Sequence, residues 1–206
     1  MGPMTERSDE VENGAGAQAP VVVRQALEVD APAMDRFVLS AEHGTFFHLS
    51  GWTRAVVEEF QHRDRSLVAL RGDEVVGVLP LTECSGLLGG RALISNAYAV
   101  YGGPAGVDRE VEVALVRAAE ELAVAEGVGR LELRCQRDLD LGFERLDLHA
   151  TFIRELPAQV EDVLKRMPKK ARADARKARK SHGLTLTEGR WYVGDLVRLF
   201  HANKQA

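Results

Sequence analysis

Hydrophobic and polar positions change period several times along this 206-residue chain. VVVRQALE at 21–28 is rich in β-branched residues and predicts a strand. Asp30, with Pro32 behind it, marks a helix start into AMDRFVLSAEH. Ser50 is placed to cap a second helix, GWTRAVVEEFQHR, in which Trp52, Val56, Val57 and Phe60 fall on one face. RSLVALR and EVVGVLPLTECS flank the turn Arg71-Gly72-Asp73-Glu74 and read as a hairpin, and GLLGG turns into a further strand, RALISNA. After the glycine-rich VYGGPAG, Asp108 opens the helix REVEVALVRAAEELAVAEG, whose apolar stripe is Val111, Leu115, Ala118, Ala119 and Leu122. GRLELRC reads as a strand, DLDLGFERLD as an acidic loop and HATFIREL as another strand. AQVEDVLKRM reads as a helix, and Pro168 separates it from a basic helix. The tail GLTLTEGRWYVGDLVRLFHANKQA repeats the plan of the start: strand, turn with an acid, periodic helix.

Composition adds limits. With 45% hydrophobic and 28% charged residues the chain suits a soluble globular domain, and no apolar run approaches a membrane span. Residues 1–20 are acidic and rich in Gly, Ala and Pro, without the basic and apolar regions of a secretory signal. Glu6 stands where a myristoylation signal needs Ser or Thr. A disordered leader and a cytoplasmic protein are expected, with Cys84 and Cys135 reduced inside strands.

Charge is concentrated. The window 165–180 holds nine Lys and Arg against one acid, Asp174, leaving 18 basic and 30 acidic residues elsewhere. A body that acidic repels a phosphate backbone except at this one segment, so a local anion site is expected and DNA binding is not. Within the basic helix Ala171, Ala175 and Ala178 form a narrow packing stripe, with Arg172, Arg176 and Arg179 along one flank. Arginines so grouped suit bidentate phosphate contacts; a plain solvated helix and a patch for a tRNA acceptor stem remain the alternatives. At VYGGPAGVD, glycines before a helix start suit a phosphate cradle, or equally a tight turn with Asp108 as its N-cap. Asp108 is the candidate to orient or deprotonate an attacking amine, and Tyr98 and Tyr101 offer hydroxyls to the same place. Asp138-Leu139-Asp140 reads as an acidic turn, the six histidines lack metal-ligand spacing, and His48 beside Phe47 reads as structural. No Ser or Cys sits in a nucleophile setting, which fits direct attack by an amine.

The element order (strand, two helices, three antiparallel strands, helix, strand) resembles that of GNAT-type N-acyltransferases. At FFHLSGWTRAVVEEF, VVGVLPL, VYGGP, LELR, TFIREL and PKKARADARKARKSHGL the chain also resembles the FemAB-like proteins of exosortase and exopolysaccharide gene clusters. These belong to the wider Fem peptidyltransferase family, built from two GNAT-like units. The resemblance implies an α/β GNAT-like fold with a mixed, mostly antiparallel sheet flanked by helices. It also implies transfer of an acyl or aminoacyl group to an amine of a peptidoglycan or exopolysaccharide precursor, lipid- or nucleotide-linked. The donor would be acyl-CoA or aminoacyl-tRNA, with no tightly bound cofactor and no metal. The family pattern Y-x-P-R-G-P followed by Asp is matched by Tyr98, Gly103, Pro104 and Asp108, but Gly102 replaces the basic residue. Arg54 is the nearest counterpart of the Lys found near the first Trp.

The expected organisation is a leader over 1–20, a GNAT-like unit over 21–166, a basic linker helix over 167–182, and the start of a second GNAT-like unit over 183–206. On that expectation the apolar tail is covered by docking on the first domain, on a second chain or on a separately encoded half, and the chain alone has little activity. The alternatives are an acyl-CoA-dependent transferase acting on a small amine, and an inactive remnant that binds anions or RNA.

Overall fold

In the computed structural model, residues 19–86, 90–146 and 150–205 are described. The predicted leader and most of GLLGG lie outside them. The first strand, β1 (Val21–Gln25), leads to α1 (Ala31–Ser40), which has a proline in its first turn, and to α2 (Ser50–Phe60). Ser50 is itself the first helical residue. Its N–H and hydroxyl donate to the two carboxylate oxygens of Asp35 at 2.8 and 2.9 Å, tying α2 to α1.

Strands β2 (Arg63–Asp64), β3 (Leu67–Arg71), β4 (Glu74–Leu79), β5 (Thr82–Gly86), β6 (Gly90–Ser95) and β7 (Ala105–Gly106) precede α3 (Arg109–Ala125), and β8 (Arg130–Leu133) follows it. They form two sheets, ordered β1-β3-β4-β7 and β2-β5-β6-β8. Pairing is antiparallel except for β6 and β8, which run parallel with α3 in the crossover. Mixed, mostly antiparallel sheets flanked by helices are the GNAT-type architecture that the element order implies.

The predicted strand EVVGVLPLTECS divides at Pro80-Leu81, because its two halves belong to different sheets. On one face of the first sheet, Leu67, Ala69, Val76 and Leu79 pack against Val111, Leu115 and Ala119 of α3. On the other, Val68, Val78 and Ala105 pack against Met34 and Val38 of α1. The helix comes close because glycines lie beneath it: a Cβ on Gly77 would sit 2.5 Å from Val111 Cγ1.

The chain divides into two compact units, the first ending at Glu144 and the second spanning Arg145–Ala206. The second holds α4 (Val160–Arg166), α5 (Lys169–His182) and α6 (Val193–Gln205). The strands expected at HATFIREL and GLTLTEG are not formed among the described residues of those segments. The periodic helix expected at the tail is formed and is 13 residues long.

Candidate functional site

The parallel pair fixes where a site arises. Segments leaving the carboxyl ends of two parallel strands diverge and leave a crevice. Here Tyr101, Gly102, Gly103 and Pro104 follow β6, and Arg134, Cys135 and Arg137 follow β8; with His43 and His48 they line a narrow cleft.

The cleft wall is tightly held. His48 is buried, and its Nδ1 lies 3.2 Å from the Thr45 N–H, which donates to it. That fixes the proton on Nε2, which donates to the Gly103 carbonyl at 2.9 Å. Burial pushes the imidazole below its ordinary pKa, so the ring stays neutral. The Asn96 side chain donates to the Phe47 carbonyl, and Trp52 Nε1 to the Ala97 carbonyl at 3.4 Å. From the other side, Arg134 Nη1 donates to the Ala99 carbonyl at 2.8 Å, while its Nε pairs with Glu132 at 2.7 Å.

Both glycine amides are engaged as well. Gly102 N–H and Gly103 N–H donate to the Arg134 carbonyl at 2.9 and 3.2 Å. The glycines are required by space: a Cβ on Gly102 would lie 2.7 Å from the Ser95 carbonyl oxygen, and one on Gly103 2.5 Å from Cys135 Sγ. Burial pushes the Cys135 thiol up to about 11, so it is protonated and unreactive. Both cysteines are free thiols.

The helix side of the junction is acidic. Asp108 is the N-cap of α3; its Oδ1 accepts the Val111 N–H at 2.9 Å, and its Oδ2 pairs with Arg71 at 2.8 Å. These contacts, the Val111 N–H foremost, hold its carboxyl below the usual range, which makes it a weak proton acceptor. Glu110 shares Arg71, and buried Glu112 pairs with Arg137. Arg109 reaches back to the Leu139 carbonyl and secures the loop after β8.

The diphosphate of a coenzyme A donor needs free amides and positive potential. Here the glycine amides already have an acceptor, and the N-cap Asp108 together with Glu110 and Glu112 of the first turn place three carboxylates at the start of α3. The residues at this junction do not fit that group.

Of the residues read from the sequence, Tyr101, Gly102 and Gly103 meet in the cleft lining. Tyr98 stands outside it, more than half exposed, and Arg54 is exposed on α2. Arg172 and Arg176 belong to α5 of the second unit, where neither forms an ion pair among the described residues; Arg172 reaches the Lys165 carbonyl at 3.5 Å. Asp138 and Asp140 make the expected turn, with Asp140 N–H donating to Asp138 Oδ1 at 2.9 Å, and no metal cluster occurs among the described residues. Arg134, Cys135, Arg137 and Glu112 had not been anticipated.

No family model matches the chain, and no curated protein does. Similar solved structures include a transcriptional regulator from Bacillus halodurans C-125, at 21% identity and TM-score 0.45, covering 66% of this chain and 100% of that one. A ribosomal-protein-alanine N-acetyltransferase from Brucella melitensis biovar Abortus 2308 is similar at 16% identity and TM-score 0.45, covering 66% and 99%. FemX is similar at 22% identity and TM-score 0.38, over 51% of this chain and 25% of that one.

Proposed function

We propose that this chain is a FemAB-like N-acyltransferase unit that transfers an aminoacyl or acyl group to an amine of a cell-envelope precursor, peptidoglycan or exopolysaccharide. The observation that carries the choice of donor is the junction before α3. Its engaged amides and its carboxylates disfavour the diphosphate of acyl-CoA, and an aminoacyl ester, such as that of aminoacyl-tRNA, is the donor that needs no diphosphate cradle there.

In this reading the free amine attacks the ester carbonyl carbon. The C–N bond forms, the C–O bond breaks, and the amine's proton passes to the departing hydroxyl. That step needs positioning more than covalent help. Tyr101 and the close backbone at Gly102 and Gly103 shape the acceptor's place, and Asp108 orients the attacking amine by its charge. Arg54, Arg172 and Arg176 hold phosphates of donor or acceptor. Partners in this reading are a small, lipid-linked or nucleotide-linked precursor and tRNA, with no DNA, and a second copy of the chain.

The test is mass spectrometry of a lysine-bearing UDP-muropeptide incubated with the chain and either aminoacyl-tRNA or acetyl-CoA. The expected product carries one added aminoacyl group, formed from the tRNA donor. The Arg172→Ala/Arg176→Ala double variant should raise the donor's KM and flatten its salt dependence. Turnover with acetyl-CoA alone would move the protein to the acyl-CoA-dependent alternative. Salt-sensitive tRNA binding without any turnover would make it an anion-binding module.

A further inference from the structure

Away from the cleft, three rings share one patch of surface. Phe60 ends α2, His62 follows it, and Tyr98 reaches them from the loop after β6. Tyr98 stacks on Phe60 with centroids 4.1 Å apart and planes 16° from parallel. His62 lies beside Tyr98, planes within 9°, its Nε2 3.2 Å from the phenol oxygen. Phe60 is 47% exposed and Tyr98 56%.

The backbone under this plate is unusual. Among the described residues four non-glycine residues have positive φ, and three of them, Gln61 (54°), Asn96 (61°) and Tyr98 (60°), carry or adjoin these rings. A bulky side chain favours that region poorly and persists there only when its surroundings over-determine it. The surroundings do so here, through the grips on Asn96, Ala97 and Ala99 already described. Folding alone would be better served by Gly at position 98. A tyrosine held in this conformation and kept open to water points to a role at the surface.

Because Phe60 stacks face to face on Tyr98, it backs that ring, and the plate left open to water is the outer face of Tyr98, with a polar rim made by its hydroxyl and the His62 imidazole. The face of an aromatic ring is electron-rich and attracts weakly positive C–H groups, which one face of a sugar ring presents while its hydroxyls reach the rim. A phosphate-bearing ligand is less well matched. Glu58 and Glu59 lead into Phe60, and Arg134, behind the Tyr98 loop, is engaged by Glu132 and by carbonyls. We propose that the outer face of Tyr98, backed by Phe60 and rimmed by His62, forms a stacking site for a neutral pyranose ring, separate from the cleft and independent of the acyl-transfer reading. The loop 96–104 carries both Tyr98 and the cleft wall, so a glycan on the plate would lie beside the cleft.

The test uses the full chain with chitotetraose and cellotetraose as probes and UMP as the nucleobase probe, read by saturation-transfer NMR and calorimetry. At least one tetrasaccharide should bind, with saturation strongest at its ring C–H protons. Tyr98→Gly should weaken that binding at least about tenfold, while Tyr98→Phe keeps it within about threefold. Because glycine suits the backbone here, the melting temperature of Tyr98→Gly should hold or rise. Should that variant fail to fold, Tyr98→Asn, which tolerates this backbone conformation and lacks the ring, carries the same test. No saturation transfer from either sugar, binding of UMP in their place, or sugar binding that survives loss of the ring would each overturn the proposal.

Discussion

Replacing Gly103 by alanine tests how closely the two walls of the cleft approach one another. The added Cβ would stand 2.5 Å from Cys135 Sγ and 3.3 Å from Cys135 Cα and Cβ, so the thiol is the one atom that must move. Overpacking of a held site costs about 1–3 kcal/mol, and about 2 is expected here because a cysteine side chain has a single rotor to turn. Cys135→Ala alone removes one half-buried atom and costs about 1 kcal/mol. Independent effects would put the double variant near 3 kcal/mol. If the clash is with the sulfur, deleting it relieves the strain, the remaining contacts at 3.3 Å are tolerable, and the double variant falls near 1 kcal/mol. Gly102→Ala is the control: its Cβ meets the Ser95 carbonyl oxygen at 2.7 Å, a backbone atom that no cysteine change removes, so Cys135→Ala should not rescue it. The assay is urea unfolding followed by Trp52 fluorescence in a Trp191→Phe background, which reports on the first unit. Additive losses in the Gly103→Ala/Cys135→Ala pair would refute the reasoning.

Three further outcomes are expected. The Asp30 carboxyl is held down at about 2, chiefly by its hydrogen bonds from Arg24 at 2.6 and 2.8 Å. A depressed folded pKa gives stability that is present above the unfolded value near 4 and lost as pH falls through 2; urea midpoints of Arg24→Met should drop by about 1 kcal/mol at pH 6 and converge on the parent at pH 2. Glu83→Gln removes a buried carboxylate lying 2.9 Å from Arg65 and 2.8 Å from Arg91, and should cost roughly 2 kcal/mol in the same assay. Cys135 should resist iodoacetamide at pH 8 in the folded chain and react at the rate of an ordinary thiol in 8 M urea, as mass spectrometry of its peptide would show.

Local chemistry made part of this protein legible in its sequence, and pairing decided the rest. The long helix was readable because Asp108, the acids of its first turn and the stripe Val111, Leu115 and Ala119 all agree, and each acts within one or two turns. HATFIREL has the composition of a strand, yet Phe152 and Ile153 are 96% and 83% exposed and no ladder forms among its described residues. Strand propensity describes fitness for a half-buried sheet surface and does not supply one. EVVGVLPLTECS looked continuous because both of its halves are buried, each in a different sheet, so the apolar pattern gave no sign of the break at Pro80.

The cleft follows the same division. Tyr101, Gly102 and Gly103 stood out because glycines after a strand announce a close approach of backbone. Arg134 and Cys135 lie at the end of what reads as a strand, and Arg137 falls between that strand and the acidic loop. Only the parallel register of β6 with β8 brings them opposite the glycines, some 30 residues earlier in the chain. Asp108 carries the more general point. An acid at a helix start draws attention as reactive chemistry, but the backbone N–H groups that make the position attractive also stabilise the charged carboxylate. Here the Val111 N–H and Arg71 hold it in that form and lower its basicity together. The better an acid caps a helix, the weaker a base it becomes, so a carboxylate in that position needs a second feature, such as burial away from any cation, before it earns a part in proton transfer.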